Sequence, residues 1–145
     1  IEVKGPTVMN GYFANSDATA AAFTPDGYLK TGDLGRIDSE GYLYVLDRRS
    51  DLIISGGENV YPAEVEAALL SISGVTEAGV VGRFDPTWGQ VPVAFIVSTL
   101  EEASVRQQME RLVAKYKCPV TYIYRDTLPR NANGKLIRRQ LKDSL

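Results

Sequence analysis

One lysine near the end of the chain follows a turn sequence and precedes a new apolar pattern. Asn133-Gly134 comes directly before Lys135, and helical apolar spacing begins at Leu136. A helix N-terminus has free N–H groups and partial positive charge, so an ammonium group beside it predicts a site for a phosphate or carboxylate. The alternative is an ordinary turn with a solvated lysine.

A carboxylate and a guanidinium follow two successive strand patterns in the first third of the chain. Asp33 comes directly after Gly32 at a turn, where its carboxylate could accept both vicinal hydroxyls of a ribose. Arg48 follows the next strand and could donate to the same hydroxyls or to a phosphate. The alternatives are an Asx-turn for Asp33 and a surface ion pair for Arg48.

The pair Gly56-Gly57 separates Leu52–Ser55 from Glu58–Tyr61 and predicts a β-hairpin turn. The apex of such a turn has no side chains, so a thin ligand or another chain can approach its backbone closely. A plain hairpin turn without a ligand is the alternative.

Composition limits the chemistry that the chain itself can supply. Its 145 residues carry a formal net charge of −2, contain no histidine and include one cysteine, Cys118. The absence of histidine excludes a Ser-His-Asp or Cys-His apparatus and any histidine metal site within this chain. A lone cysteine predicts no disulfide framework and indicates a cytoplasmic protein. No apolar run is long enough to span a bilayer, and the near-neutral charge predicts no nucleic-acid partner.

The elements that must position these residues divide at a polar run, Asp47–Asp51. Before it, turn signals separate short strands predicted at Ile1–Lys4, Tyr28–Lys30, Leu34–Ile37 and Tyr42–Leu46. Such strands cannot bury both faces, which predicts the edge of a larger domain, and a start without methionine also suggests a fragment. The polar run predicts a linker between two units, or alternatively a charged loop within one domain.

After the polar run, the pattern predicts an α+β unit in which helices pack against a short sheet. A hairpin is followed by a helix that begins at Pro62 and ends before Gly74. Ser104 and Gln107 predict a capping box for a second helix whose buried face is Val105, Met109, Leu112, Val113 and Tyr116. Strands are predicted at 75–83, 91–98 and 120–124, and the last helix follows Lys135.

In this order and at these spacings, three segments resemble the adenylate-forming superfamily, which comprises acyl- and aryl-CoA synthetases, peptide-synthetase adenylation domains and luciferases. The segments are Tyr28–Asp33, Asp47–Glu66 and Pro129–Lys135. Together with Trp88–Pro92, the middle block is most similar to the o-succinylbenzoate–CoA ligases of menaquinone biosynthesis. Related aryl- and fatty-acyl-CoA ligases share much of the same block.

The resemblance implies a domain organisation and a two-step reaction. Residues 1–47 would be the C-terminal edge of the large ATP- and acyl-binding domain, 48–50 the hinge, and 51–145 the small mobile C-terminal domain. ATP and a carboxylic acid would first form an acyl-adenylate, with Mg²⁺ implied but no ligand for it identified in this chain. The small domain would then rotate, and the thiol of CoA would displace AMP.

The resemblance also implies roles for individual residues. Asp33 and Arg48 would hold the ribose of the nucleotide, and Lys135 would be the catalytic cation of the adenylation step. Gly56 and Gly57 would line the tunnel for the pantetheine arm of CoA.

The hinge would be Ser50, where the superfamily usually has Asp or Lys. A hinge needs permissive backbone angles more than it needs charge, so serine is compatible with this role.

Two further readings of the whole chain stay open. It could be a non-catalytic lid that docks on another protein, or an adenylation module that serves a carrier protein. The end of the chain at Leu145, soon after Lys135, favours free CoA over a carrier domain. Without the phosphate loop of the family, the chain alone is expected to be inactive. A basic cluster either contacts the 3′-phosphate of CoA or forms a solvated helix face: Arg130, Arg138, Arg139 and Lys142.

Overall fold

The computed structural model describes residues 1–145 and forms two compact units, Ile1–Ser50 and Asp51–Leu145. No helix of either unit combines the length and the apolar character needed to cross a membrane. The predicted α+β class, a short sheet flanked by helices and preceded by a β-rich segment, is confirmed. The assignment of these segments to a large domain, a hinge and a small domain stays a prediction.

The first unit contains two small antiparallel sheets and one helix. Strands β1 (Glu2–Val3) and β2 (Leu29–Lys30) pair with each other, and β3 (Asp33–Ile37) pairs with β4 (Leu43–Arg48). The helix α1 (Ser16–Ala22) was not predicted. It buries none of its residues, so it leaves no apolar stripe in the sequence.

The β3–β4 hairpin leaves a large apolar surface open to solvent. Ile37 is 70% exposed, and Tyr42 and Val45 are each 64% exposed. Exposed apolar patches of this kind mark surfaces that contact other protein parts. This surface is what the sequence predicts for strands that belong to the edge of a larger domain.

The second unit is built around one mixed sheet. Its strands are β5 (Ile53–Ser55), β6 (Glu58–Val60), β7 (Val75–Asp85), β8 (Gly89–Ser98) and β9 (Thr121–Tyr124). Strand β8 is central: it forms a long antiparallel pair with the edge strand β7, pairs at one end with β5, and runs parallel to β9. The helices are α2 (Pro62–Leu70), α3 (Glu102–Leu112) and α4 (Arg138–Lys142).

The sheet has an apolar cluster on each face, because successive side chains of β7 and β8 point to opposite sides. On one face, α2 and α3 bury Leu69 and Met109 against the sheet. On the other face, Leu128 and Leu141 pack against Phe95. Gly79 permits this second contact, since a Cβ atom there would lie 2.7 Å from Cδ1 of Leu141. The terminal segment that carries Lys135 is therefore packed against the sheet.

Two local predictions are wrong. The N-cap residue of α3 is Glu101, and no side chain caps the helix, so Ser104 and Gln107 lie inside it and form no capping box. Because α3 ends at Leu112, that side chain is 50% exposed and Tyr116 is 41% exposed, although Val105 and Met109 are fully buried. The helix is thus shorter at its C-terminal end than the apolar spacing predicts.

Candidate functional site

Lys135 lies at the end of a closed turn. The backbone N–H of Asn131 donates to the carbonyl of Lys135 at 2.9 Å, and the N–H of Gly134 donates to the carbonyl of Asn131 at 2.9 Å. The side-chain oxygen of Asn131 also accepts the N–H groups of Asn133 (3.0 Å) and Lys135 (2.9 Å). Gly134 has φ +77°, a left-handed conformation that favours glycine. Asn131 thus fixes the backbone from which the Lys135 side chain leaves.

The prediction that a helix begins directly after Lys135 is wrong. The five-residue helix α4 begins at Arg138, and its N-cap residue is Ile137. The backbone next to Lys135 is extended instead, because Leu136 forms a β-bridge with Arg130. No helix terminus therefore supplements the charge of Lys135. Its ammonium group is exposed and has no partner within the chain, so any anion binding must come from that group itself.

Arg138 ties the terminal segment to the rest of the second unit. Its Nη2 donates to Oε2 of Glu66 at 2.6 Å and its Nε donates to Oε1 at 3.2 Å, while Nη1 lies 3.5 Å from Oδ2 of Asp51. Oε1 of Glu66 also accepts the backbone N–H of Val80 at 2.8 Å. One carboxylate of α2 thus joins α4 to β7.

These contacts bear on whether the basic cluster contacts a CoA phosphate or forms a solvated helix face. Arg138 is engaged by Glu66, and Arg130 forms a 2.9 Å ion pair with Glu77. Their charges are used within the chain, which supports neither a CoA phosphate contact nor a freely solvated face for these two residues. Arg139 makes only an open 3.7 Å contact with Asp143, both side chains being mostly exposed.

The structure brings Asp33 and Arg48 together. Asp33 begins β3, Arg48 ends β4, and the two residues are opposite each other in the antiparallel register. Nε of Arg48 lies 3.1 Å from Oδ1 of Asp33, and the side chains are 54% and 27% exposed. The backbone N–H of Arg48 donates to the nearly buried Asp47 at 2.8 Å. Asp33 also borders a cleft of about 650 Å³ in the first unit. Their role in holding a ribose stays a prediction.

Gly56 and Gly57 form the two-residue turn between β5 and β6. Their φ angles of +59° and +86° are left-handed, as in the tight turns that join antiparallel strands. A Cβ atom on Gly56 would lie 2.8 Å from Cε3 of Trp88, whereas one on Gly57 would meet nothing within 4 Å. The Gly56 position is therefore closed by Trp88, and Gly57 faces open space.

A cleft of about 570 Å³ borders this turn and was not identified from the sequence. Its lining is largely apolar and includes Gly56, Trp88, Pro92, Lys115, Tyr116 and Cys118. Burial raises the pKa of the Cys118 thiol, so this group is protonated near neutral pH. Cys118 therefore contributes an apolar surface here and no reactive thiolate.

Ser50 is the last residue of the first compact unit, and Asp51 is the first residue of the second. This boundary lies at the position that the sequence predicts for a hinge. The rotation itself stays a prediction.

Comparison with known proteins gives concordant results. The family model described as the AMP-binding enzyme C-terminal domain matches residues 64–135. The chain is 59% identical over 146 residues to 2-succinylbenzoate–CoA ligase of Bacillus velezensis, covering 99% of this chain and 30% of that protein. The corresponding ligase of Bacillus subtilis is 55% identical over the same length, again with 99% and 30% coverage.

Solved structures give the same picture. O-succinylbenzoate CoA synthetase from Bacillus subtilis, in complex with an acyl-adenylate intermediate, is 55% identical with a TM-score of 0.91, covering 98% of this chain and 30% of that one. ATP-bound MatB from Rhodopseudomonas palustris is 39% identical with a TM-score of 0.92, covering 99% and 29%. The chain thus spans about 30% of the length of these relatives. Residues 64–135 thus match the AMP-binding enzyme C-terminal domain, and the chain is similar over nearly its whole length to 2-succinylbenzoate–CoA ligases.

Proposed function

We propose that this chain is the C-terminal part of an ATP-dependent acid–CoA ligase that converts 2-succinylbenzoate to its CoA thioester in menaquinone biosynthesis. The observation that carries the proposal is the 55–59% identity to 2-succinylbenzoate–CoA ligases over nearly the whole chain. Another aryl- or fatty-acyl-CoA ligase is the second candidate. It is supported by a fatty acyl CoA synthetase from Mycobacterium tuberculosis that is 40% identical and covers 93% of this chain.

In the first half-reaction, a carboxylate oxygen attacks the α-phosphorus of ATP and the bond to pyrophosphate breaks. Two anions must meet in this step, so a preorganised cation gives a large electrostatic stabilisation of the transition state. Lys135 suits this role because its ammonium group is exposed, lacks an internal partner and extends from a closed turn. Asp33 and Arg48 would bind the ribose hydroxyls through the groups outside their 3.1 Å contact.

In the second half-reaction, the thiol of CoA attacks the acyl carbonyl and AMP leaves. The pantetheine arm is thin, and in the turn beside the 570 Å³ cleft Gly57 faces open space, so the arm could pass close to its backbone. Rotation about Ser50 would replace Lys135 at the reaction centre by the Gly56-Gly57 turn. The existence of two compact units that divide at this residue supports that motion.

The remaining partners follow from the same proposal. Mg²⁺ would enter with ATP, and since no three acidic, cysteine or histidine side chains of this chain form a metal-binding group, we assign no residue to it. The rest of the same protein would cover the exposed β3–β4 surface. A cytoplasmic location is part of the proposal and is supported by the lone Cys118.

The test is pyrophosphate release by the full-length protein, with ATP and a panel of aryl, dicarboxylic and fatty acids. We expect turnover with 2-succinylbenzoate to exceed turnover with the other acids, and a CoA thioester to form when free CoA is added. The 145-residue chain alone should release no pyrophosphate. Preference for another acid would favour the second candidate, and transfer only to a carrier-bound pantetheine would indicate an adenylation module.

A further inference from the structure

The turn that carries Lys135 is linked to the sheet through Arg130. Nε and Nη2 of Arg130 contact the same oxygen of Glu77, Oε2, at 3.0 and 2.9 Å. Nη1 of the same guanidinium donates to the backbone carbonyl of Gly134 at 2.9 Å. Glu77 belongs to β7, and Gly134 directly precedes Lys135. One planar group thus bridges strand β7 of the sheet and the residue next to the lysine.

The other contacts of the turn do not replace this bridge. The hydrogen bonds of Asn131 shape the turn but stay within it. Leu136, which follows Lys135 in the chain, packs over Gly79. A Cβ atom added at Gly79 would lie 2.9 Å from Cδ2 of Leu136. Arg130 therefore supplies a polar tie to β7 before Lys135, and Leu136 supplies an apolar contact after it.

The ion pair is too exposed for its main effect to be on stability. The side chains of Arg130 and Glu77 are 42% and 25% exposed, and ion pairs that keep this much contact with water contribute little to stability. The position of a catalytic group has a larger effect, because a misplacement of about 1 Å can lower the reaction rate by about 100-fold. Arg130 is therefore expected to affect catalysis much more than folding.

We propose that Arg130, oriented by Glu77, is a positioning residue that sets where the ammonium group of Lys135 is delivered in the adenylation step. This inference rests on the proposed function of Lys135. The guanidinium fork satisfies Glu77 and the Gly134 carbonyl at once, whereas the ammonium of a lysine lacks that planar geometry. Arg130→Lys should therefore restore only part of the activity that Arg130→Met loses.

The experiment uses the full-length protein and measures the two half-reactions separately in single turnover. Arg130→Met should slow acyl-adenylate formation by about 10-fold. Arg130→Lys should form acyl-adenylate at a rate between those of the wild type and Arg130→Met, and Glu77→Gln should also slow this step. Thioester formation from supplied acyl-adenylate should be unchanged. The matched control is Arg106→Met on the opposite face of the sheet, because Arg106 is similarly exposed (39%) and pairs with Glu102 at 2.8 Å. It should leave adenylation unchanged.

Double variants separate positioning from a general structural effect. In a Lys135→Ala background, Arg130→Met should cause no further loss of adenylation, because there is no ammonium group left to place. A full additional 10-fold loss, or parallel losses in both half-reactions, would overturn the inference. Normal adenylation by Arg130→Met, when Lys135→Ala is defective, would also overturn the inference about Arg130. That result would leave the proposed function of Lys135 in place. Normal adenylation by Lys135→Ala would instead overturn the proposed role of that lysine.

Discussion

Breaking the ion pair between Glu66 and Arg138 should destabilise the second unit substantially. The two side chains are only 13% and 20% exposed, and they share two hydrogen bonds of 2.6 and 3.2 Å. Removing one partner of a fully buried pair costs about 3–5 kcal/mol, because the other charge stays desolvated and unpaired. Both groups here keep some contact with water, and Glu66 keeps the Val80 N–H. We therefore expect Arg138→Met to lower the free energy of unfolding by about 2–4 kcal/mol.

The milder substitution Glu66→Gln should cost about 1–2 kcal/mol. The amide oxygen can still accept from Val80, and Arg138 keeps Asp51 at 3.5 Å, but the amide NH₂ would face another donor. The two variants should not be additive. The double variant should be less destabilised than the sum of the two single effects by about 1–3 kcal/mol, as for groups in direct contact.

The assay is urea unfolding followed by the fluorescence of Trp88, the single tryptophan of the chain, which reports on the second unit. Arg139→Met is the matched control, since that arginine is 89% exposed and its ion pair is 3.7 Å long. It should change the free energy of unfolding by less than about 0.5 kcal/mol. A change equally small for Arg138→Met would refute the view that this pair secures the terminal segment.

Three further changes test separate features. Ser50→Pro should let acyl-adenylate accumulate while CoA transfer stalls in single turnover, because proline fixes φ near −65°; a parallel decline in both steps with a lower melting temperature would remove Ser50 as the hinge. Gly56→Ala should lower the free energy of unfolding by about 1 kcal/mol more than Gly57→Ala. Both substitutions strain a left-handed φ, but only the alanine at position 56 displaces Trp88. Equal losses of stability in urea unfolding would contradict this. Tyr122→Phe should raise the free energy of unfolding by up to about 1 kcal/mol, because the buried hydroxyl has no partner. Burial raises the pKa of Tyr122 to about 12, so the wild-type chain should lose stability between about pH 10 and pH 12, and the Phe variant should lack that loss.

The sequence predicts best those features that depend on neighbouring residues. The pairing of Asp33 with Arg48 follows from their positions at the open ends of two strands joined by a short turn. The first helix after Pro62 follows from apolar spacing that matches the buried face of α2. Both depend on local periodicity, which a single chain displays directly.

Features that depend on distant contacts could not be predicted in the same way. Arg130 is 53 residues from Glu77, and Arg138 is 72 residues from Glu66. No local pattern reports which strand or helix will face these arginines. The sequence predicts the start of α4 too early for a related reason, because Leu136 packs on Gly79 from an extended segment and not from a helix. Tertiary packing decides the backbone conformation at that point.

The most direct test of the account is the Lys135→Ala variant of the full-length protein, with adenylation and thioester formation measured separately. Loss of a preorganised charge-stabilising group predicts slower acyl-adenylate formation from ATP and 2-succinylbenzoate by about 100-fold or more. Transfer of a supplied acyl-adenylate to CoA should change far less, because the ammonium group acts only while the carboxylate approaches the α-phosphate. Equal losses in the two half-reactions, or adenylation at the wild-type rate, would contradict the assignment of Lys135 as the catalytic cation.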